Sequence, residues 1–321
     1  LFRSMKETIP VSARVLLNKE LEDLQLRLIG GKEGLNRIIE RPRPQKPGLA
    51  LAGFTKAVKE NRVQIIGTME LDYLETMSEE KRKVRVDTLC QQSISAIVLS
   101  RDHPPPPELL DACNSGDIPL FSSPASSGRL IERLTYFLQD QLAPRRTVSG
   151  DLVDVYGLGV LITGKSSVGK SECALELVKR GHRLVSDDVV MVRRFPNDVL
   201  IGRPGNERIR NRLEIRGIGI INVHHMFGVT AVAPEKTIDL VIDLQHWDET
   251  IEYDRLGADA KSARILDVEI PLIEMPVSPG RNIALLVEIA TRAKLLKNMG
   301  YDEPKEFIDK LQEDLIRNAR S

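Results

Sequence analysis

The sequence predicts a two-domain α/β chain, and three observations lead to this prediction. The chain has 321 residues, which is enough for two domains with separate cores. From about residue 8 to 140, short apolar runs alternate with helical patterns. The second half contains an apolar strand, a glycine-rich turn and a helix in direct succession. We therefore predict a small N-terminal α/β domain in residues 1–143 and a second α/β domain in residues 144–321.

Composition narrows the class of protein. Hydrophobic residues make up 41% and charged residues 29%, as in ordinary soluble globular proteins. The 46 basic and 46 acidic side chains cancel, which argues against general affinity for nucleic acid or anionic membrane. No apolar run approaches the roughly 20 residues that span a bilayer, and no signal-peptide pattern opens the chain. The cysteines Cys90, Cys113 and Cys173 form no CxxC pair, so we expect reduced thiols in a cytoplasmic protein without a zinc site.

The first domain is predicted to hold a small sheet with helices around it. "RVQIIG" at 62–67 and "SAIVLS" at 95–100 fit buried strands, and the segment between them has helical spacing. A further helix is predicted to start at Pro107, where proline suits the first helical position. "GRLIERLTYFLQDQLAP" at 128–144 has apolar residues on one helix face and ends at Pro144. Nothing in this half indicates catalysis, so we interpret it as a structural or regulatory domain.

The second domain is predicted to open with two strands in "DLVDVYGLGVLIT", turning at Gly157 and Gly159. A helix follows, and after it come the strand "RLVSDD" and strands in "RIRNRLEIRGIGIINV" and "KTIDLVIDLQ". From Asn282 the pattern is helical and stops at Gly300, a usual helix terminator. "EPKEFIDKLQEDLIRNA" is predicted as a last amphipathic helix.

The strongest functional signal is "GKSSVGKS", which fits G-x-x-x-x-G-K-[ST] and lies between a predicted strand and a predicted helix. Backbone N–H groups of such a loop surround phosphate oxygens, and the helix N-terminus adds partial positive charge. Lys170 is predicted to reach the β- and γ-phosphates of a nucleotide, and the Ser171 hydroxyl to bind Mg²⁺. The alternative is a chance glycine-rich turn. The predicted nucleotide-binding residues are Gly164, Lys165, Ser166, Ser167, Val168, Gly169, Lys170 and Ser171.

Three other segments carry residues suited to phosphate chemistry. "HRLVSDD" is predicted as a strand that follows the P-loop helix and ends in two aspartates. A carboxylate at this place can hold a metal ion or accept a hydroxyl proton. The alternative is that an aspartate there only caps the next loop. In "LEIRGIGIINV", Gly217 and Gly219 indicate close approach of backbone to a ligand, and the alternative is a strand with one solvated face. "EYDRLG" and "PVSPGR" are loops whose arginines suit phosphate or are simply solvated.

Together these segments resemble the HPr kinase/phosphorylase family, bacterial enzymes that act on a serine of the phosphocarrier protein HPr. In the first half, the similar segments include "LRLIGGKEGLNRII", "KPGLALAGF" and "IPLFSSPASSGRLIERLTYFL". In the second half they include "DLVDVYGLGVLITG", "GKSECALELVKRGHRLVSDD", "LEIRGIGIINV", "YDRLG", "PGRN" and "MGYDEPKEF". The resemblance covers nearly the whole chain and is far more specific than the P-loop alone.

The resemblance implies roles for particular residues. Asp188 is implied to be the catalytic base of the forward reaction and the acid of the reverse one, and Glu214 a second magnesium ligand beside Ser171. Arg255 is implied as a catalytic arginine, and Ser149 occupies the position of the family's histidine. The segment implied in both reactions is Leu213, Glu214, Ile215, Arg216, Gly217, Ile218, Gly219, Ile220, Ile221 and Asn222. The segment implied mainly in phosphorolysis is Pro276, Val277, Ser278, Pro279, Gly280 and Arg281.

The resemblance also implies a fold and two opposed activities. The fold is a P-loop kinase domain related to phosphoenolpyruvate carboxykinase with C-terminal helices, assembled as a homohexamer. One activity is ATP- or pyrophosphate-dependent phosphorylation of a serine on HPr; the other is attack of inorganic phosphate on phosphoserine, which releases pyrophosphate. The implied cofactor is Mg²⁺ and the implied partners are an HPr-type carrier and further copies of the chain. The implied role is regulation of carbon metabolism, and neither nucleic acid nor membrane is an expected partner.

The chain departs from the family pattern at four positions that bear on charge and backbone. Ser149 replaces the histidine, and a hydroxyl cannot carry positive charge or shuttle protons near neutral pH as imidazole does. Lys165 stands where an acid is usual, and Ser167 stands where a glycine is usual, so a left-handed backbone there would be strained. Ser278 stands where an arginine is frequent. We therefore expect nucleotide binding and kinase activity to survive, with phosphorolysis most exposed to loss.

Two alternatives remain open at this point. A nucleotide-sensing regulatory module would bind ATP through Lys170 without transferring phosphate, and the departures from the family pattern favour it. Asp188 and Glu214 argue for the enzyme, because binding alone does not need them. A P-loop kinase of small molecules is the other alternative, and the similarity of the N-terminal half to the family argues against it.

Overall fold

A computed structural model of the chain describes residues 10–206, 210–248, 261–278 and 280–302. The chain divides between Ala143 and Pro144 into two compact units. In the part of the chain that the structure describes, no helix is both long and apolar enough to cross a membrane. Arg255, Pro279 and the predicted last helix, "EPKEFIDKLQEDLIRNA", lie outside the described residues.

The N-terminal unit contains a small, mostly parallel sheet with helices on both faces. Its strands are β1 (Val11–Ser12), β2 (Arg27–Gly30), β3 (Ile38–Ile39), β4 (Val63–Ile66), β5 (Ala96–Leu99) and β6 (Leu120–Ser122). Its α-helices are α1 (Gly48–Leu51), α2 (Thr68–Glu75), α3 (Glu79–Cys90), α4 (Pro107–Ser115) and α5 (Ser127–Leu142). Its 3-10 helices are Ala13–Leu17, Lys19–Leu24, Lys32–Asn36 and Thr55–Ala57. The main sheet has the order β2-β6-β5-β4, with β4, β5 and β6 parallel.

The N-terminal unit has three layers, with the sheet between two cores, because side chains alternate between the two faces of its buried strands. Successive residues of a strand point to opposite faces. Ile65 and Val98 pack with Phe137 of α5 on one face, while Ile66 and Leu99 pack beneath the other helices. The predicted strands "RVQIIG" and "SAIVLS" and the helix starting at proline are confirmed.

The C-terminal unit holds two packed sheets. Its strands are β7 (Arg145–Ser149), β8 (Asp151–Val155), β9 (Leu158–Gly164), β10 (Arg183–Ser186), β11 (Val189–Phe195), β12 (Val199–Pro204), β13 (Arg212–Ile215), β14 (Gly219–Asn222), β15 (Lys236–Thr237), β16 (Leu240–His246), β17 (Lys261–Ile265) and β18 (Val268–Val277). Its helices are α6 (Lys170–Lys179), α7 (Val223–Phe227) and α8 (Ile283–Asn298), with 3-10 helices at Pro196–Asp198 and Val229–Ala231. The fold is therefore α/β in both units, as predicted.

The larger sheet separates two cores. It has the order β10-β8-β9-β16-β18-β17, and the smaller antiparallel sheet has the order β15-β12-β11-β7. Leu161 of β9 and Val190 of β11 share the core between the sheets. Ile162 of β9 faces the other side and packs with Leu177 of α6 and Val287 of α8. The helix that follows the glycine-rich turn is thus held against the large sheet.

One edge of the large sheet collects the predicted functional segments. Strands β9, β16 and β18 are parallel, so their carboxyl ends meet at the same edge. Leu244 is paired with Gly164, and His246 with Val277. In open α/β sheets, ligands bind outside the carboxyl ends of parallel strands. This edge is where the site is expected.

The N-terminal core offers a test with a matched control. Phe137 is 1% exposed and its neighbour Tyr136 is 68% exposed, on the same helix α5. We predict that Phe137→Ala lowers the free energy of unfolding by about 3 to 5 kcal/mol, because a cavity remains in the core. Tyr136→Ala should change it by less than about 0.5 kcal/mol. Chemical denaturation of both variants measures the difference, and equal losses would contradict this packing.

Candidate active site

The glycine-rich turn, residues 164–171, forms a phosphate loop at the end of β9. Gly164 has φ 138° and Gly169 has φ 101°, backbone conformations that favour glycine. A Cβ atom on Gly164 would lie 2.5 Å from the Leu244 carbonyl oxygen, so a larger residue would displace β16. Lys165, Ser166 and Ser167 are exposed, and α6 begins at Lys170. The loop therefore opens to solvent at a helix N-terminus, as phosphate binding requires.

Lys170 curls over the phosphate loop. Its Nζ donates to the carbonyl oxygens of Gly164 at 3.2 Å and Lys165 at 3.3 Å. These bonds hold the ammonium group above the residues whose amides would surround a phosphate. An ammonium group has three N–H donors, so it can also serve an anion bound in the loop.

Ser167 shows the strain anticipated for a residue in place of glycine. Its φ is 69°, in the left-handed region, which costs a non-glycine residue about 1 to 2 kcal/mol. Its hydroxyl donates to the carbonyl oxygen of Ser166, and Arg216 Nη2 donates to Ser166 Oγ at 3.4 Å. Local hydrogen bonds thus hold the strained turn and join it to β13 and β14.

Asp187 connects the loop helix to the hairpin of β13 and β14. Ser171 Oγ donates to Asp187 Oδ1 at 3.0 Å, and the Glu214 amide donates to Asp187 Oδ2 at 2.9 Å. Burial raises the pKa of Asp187, although these two hydrogen bonds oppose the rise. The Asp187 carboxyl therefore orients the Ser171 hydroxyl and also fixes the backbone of Glu214.

Asp188 is the exposed member of the acidic pair and lies in the turn between β10 and β11. Its φ is 61°, so its backbone is left-handed. The Gly150 amide donates to the Asp188 carbonyl oxygen at 2.8 Å, and the Asp188 amide donates to Asp151 Oδ1 at 2.9 Å. Both peptide groups that flank Asp188 are therefore fixed, while its side chain remains accessible to a substrate.

Asp151 is a functional candidate that the sequence analysis missed. It is 0% exposed, its Oδ1 atom accepts the Asp188 amide, and its carboxyl group shares a hydrogen bond with that of Asp187. Burial, together with the charge of Asp187, raises the pKa of Asp151 to about 8, against the Asp188 amide and the Lys170 charge. In the sequence, the available signal was an aspartate at the start of a strand whose other residues, apart from Asp154, are apolar.

The hairpin of β13 and β14 explains the alternating pattern of "LEIRGIGIINV". Leu213 and Ile215 are buried, whereas Glu214 and Arg216 face solvent. Gly217 and Gly219 have φ values of 79° and 103°, and a Cβ on either would meet open space among the described residues. The positive φ values of these glycines therefore form the turn between the two strands, and the approach of a ligand to them stays a prediction.

Three further predicted positions lie at or just after the ends of strands. Ser149 is exposed and paired across strands with Val189, which directly follows Asp188. Arg281 follows β18, and its Nη1 donates to the Pro276 carbonyl oxygen at 3.1 Å. Ser278 is half-buried just after the end of that strand.

The oxygen donors at this edge suit magnesium. Within the described residues, no group of three or more histidine, cysteine, aspartate or glutamate side chains can hold a metal ion. Mg²⁺ usually takes one or two protein oxygens and completes its shell with water and substrate phosphates. The Ser171 hydroxyl and the carboxylate of Glu214, whose amide shares the Asp187 carboxyl with Ser171, are donors of that kind.

Comparison with known proteins decides the family. Residues 11–138 match the model described as HPr Serine kinase N terminus, and residues 140–311 match the model described as HPr Serine kinase C-terminal domain. The chain belongs to the HPr serine kinase family. It is therefore an enzyme of the kinase class, and a nucleotide is among the family's substrates.

Two curated relatives are similar to nearly the whole chain. The HPr kinase/phosphorylase of Bacillus subtilis (strain 168) is 46% identical over 307 residues, which cover 96% of this chain and 98% of the relative. The HPr kinase/phosphorylase of Geobacter sulfurreducens is 44% identical over 304 residues, 95% of each chain. A solved structure of the Hpr(Ser) kinase/phosphatase from Coxiella burnetii has 37% identity and a TM-score of 0.46, covering 50% of this chain and 98% of that one.

The buried acid predicts a pH dependence of stability. The pKa of Asp151 rises from an ordinary value of 3.8 to about 8 on folding. Between these values the folded chain binds more protons at this carboxyl than the unfolded chain does. This group therefore makes the free energy of unfolding fall as pH rises, by up to about 1.4 kcal/mol per unit. The Asp151→Asn variant lacks this carboxyl, so its free energy of unfolding should fall less steeply between about pH 5 and about pH 8 than that of the parent chain.

Urea denaturation across this pH interval measures the slope. Asp154→Asn is the control, because Asp154 is also buried on β8 and accepts the Gly157 amide at the far end of the strand. It should keep the slope of the parent chain. Parallel slopes for the parent and Asp151→Asn would contradict the prediction.

Proposed function

We propose that this chain transfers a phosphoryl group from ATP or pyrophosphate to a serine of an HPr-type phosphocarrier protein, and that it also catalyses phosphorolysis of the phosphoserine. The observation that carries the proposal is the hydrogen bond from Ser171 to Asp187, with Asp188 next in the chain. It connects the start of the phosphate-loop helix to the acidic turn. A nucleotide held by the loop would thus have its terminal phosphate beside a carboxylate.

In the forward direction, each group has a defined task. The loop amides and Lys170 bind the β- and γ-phosphates and neutralise charge that develops during transfer. Mg²⁺, held by Ser171 and Glu214, would supply further neutralisation of the phosphate oxygens. Asp188 accepts the proton of the serine hydroxyl while the serine oxygen attacks the terminal phosphorus. The bond from that phosphorus to the bridging oxygen breaks, and ADP or inorganic phosphate leaves.

In the reverse direction, the same groups act on different species. Inorganic phosphate occupies the loop, and one of its oxygens attacks the phosphorus of phosphoserine. The bond from phosphorus to the serine oxygen breaks, and protonated Asp188 returns a proton to that oxygen. Pyrophosphate and free serine are the products. One carboxyl group serves both directions because it alternates between base and acid.

The remaining predicted features belong to this proposal as well. Residues 1–143 would act as a structural or regulatory domain, and residues 144–321 would carry out catalysis. Arg255 and the segment 276–281 would supply cationic or polar contacts to phosphate. We propose a cytoplasmic homohexamer that regulates carbon metabolism. A nucleotide-sensing homologue with lost or reduced transfer is the second candidate, favoured by Ser149 and Ser278.

Removal of the proposed base separates transfer from binding. We predict that Asp188→Asn lowers phosphoryl transfer to HPr by about 10²- to 10⁴-fold, because no group accepts the hydroxyl proton. ATP affinity should stay within about threefold, since the loop is unchanged. Intact-mass analysis of HPr measures transfer, and calorimetry measures ATP binding.

Asp198→Asn is the matched control, because Asp198 also has a left-handed backbone, at φ 59°, and an exposed side chain. It should transfer at the rate of the parent chain. A parent chain that binds ATP but transfers nothing to HPr would support the sensor instead.

The missing histidine predicts an imbalance between the two directions. We expect the parent chain to phosphorylate HPr faster than it phosphorolyses phospho-HPr. Ser149→His should raise phosphorolysis by about tenfold or more and change kinase activity less, because imidazole can carry charge and move protons near neutral pH. Release of pyrophosphate and mass gain of HPr measure the two rates.

Thr147→His provides the control. Thr147 is exposed on the same strand, two residues from Ser149 and therefore on the same face. It should leave the ratio of the two rates unchanged. Equal, robust rates in both directions in the parent chain would contradict the imbalance.

A further inference from the structure

We propose that Asp151 is a positioning residue for phosphoryl transfer, which fixes the backbone of Asp188 and so the direction of the Asp188 carboxylate. This inference rests on the proposed function, in which Asp188 is the base. Asp151 does not touch substrate; it acts through the residue that does.

The hydrogen bonds around Asp188 carry the inference. Its amide donates to Asp151 Oδ1 at 2.9 Å, and its carbonyl oxygen accepts from the Gly150 amide at 2.8 Å. A left-handed aspartate persists only where its surroundings hold it, because the conformation is unfavourable. Of these two bonds, only the one from Asp151 uses a side chain, so it alone depends on the amino acid at that position.

Asp151 also connects Asp188 to the strand that leads into the phosphate loop. It is the first residue of β8 and is paired with Ile162 of β9, two residues before Gly164. A Cβ on Gly150 would lie 2.6 Å from the Ile162 carbonyl oxygen, so these strands are pressed together. The base and the loop are therefore anchored to one pair of strands. A shift of about 1 Å in a positioned group can cost about 100-fold in rate.

Packing alone does not account for an aspartate at this position. Asp151 is 0% exposed, and burying a carboxyl group costs free energy that burying an apolar side chain does not. An apolar side chain of similar shape would avoid that cost but could not accept the Asp188 amide. The neighbouring groups that bear charge or titrate are Asp187, Asp188, Lys170 and Cys173. A neutral Asp151 carboxyl still accepts the Asp188 amide through Oδ1, so this hydrogen bond does not require a further negative charge beside those groups.

Two substitutions of similar shape isolate the anchor. Asp151→Leu removes the acceptor, whereas Asp151→Asn keeps an oxygen at the Oδ1 position. We expect Asp151→Leu to lower kcat for transfer to HPr by about 10- to 100-fold, with KM for ATP within about threefold of the parent value. Asp151→Asn should recover most of the lost kcat.

Controls separate positioning from general destabilisation. Melting temperatures are measured for every variant, and Asp154→Asn reports the effect of changing a buried acid elsewhere on β8. If Asp151→Leu does not fold, Asp151→Ala replaces it, since alanine also lacks the acceptor and demands less space. The same kinetic measurements apply to that variant.

The outcomes are distinct. Loss of kcat at constant KM in the apolar variant, with recovery in Asp151→Asn, supports the inference. An unchanged kcat in the apolar variant overturns it, as does an equal loss in Asp151→Asn and the apolar variant, or a rise in KM that parallels the fall in kcat. A parent chain without transfer activity overturns the proposed function itself, and this inference with it.

Discussion

The candidate site depends on one turn, Asp187–Asp188, whose polar groups are bonded to three other segments of the chain. The Asp187 carboxyl accepts from Ser171 at the start of the loop helix and from the Glu214 amide in the hairpin. The peptide groups of Asp188 are bonded to Gly150 and to Asp151 at the start of β8. Without this turn, the loop helix, the hairpin and β8 would lose their shared partner.

Three acidic residues, Asp151, Asp187 and Asp188, lie together at this turn, and they differ in how far they are buried. Burial raises the pKa of both Asp151 and Asp187, and at neutral pH a carboxyl with a pKa of about 8 is mostly uncharged. A neutral Asp151 lessens the repulsion that three clustered carboxylates would otherwise create. Asp188 is exposed, so it is the carboxyl that a substrate hydroxyl can reach. In the proposed mechanism, the two buried acids therefore have structural roles and the exposed Asp188 has the chemical one.

Features that depend on local sequence patterns could be predicted from the sequence, whereas contacts between residues far apart in the chain could not. The strand, loop and helix around Lys170 follow from apolar spacing and from glycines needed at particular turns, and all three are present. Asp151 was missed because its partner, Asp188, lies 37 residues away and meets it only when the sheet forms. One helical segment in the first domain is two helices, because Ser78 has an extended backbone and separates α2 from α3. Gly217 and Gly219 take the positive φ that the turn between β13 and β14 needs, and ligand approach at that turn stays a prediction.

The distribution of positive charge bears on the direction of the reaction. In the kinase direction with ATP, the phosphates in the loop are already joined covalently and the acceptor is a neutral hydroxyl. In phosphorolysis, two separate phosphate dianions must meet, and each pair of unit charges at about 4 Å repels by about 4 kcal/mol at an effective dielectric constant near 20. In the proposed mechanism the free phosphate binds in the loop that carries Lys165 and Lys170, and neither Ser149 nor Ser278 carries a positive charge. On this proposal, phosphorolysis is the direction in which a cation at position 149 or 278 would matter most, because a second anion is repelled more than a hydroxyl is.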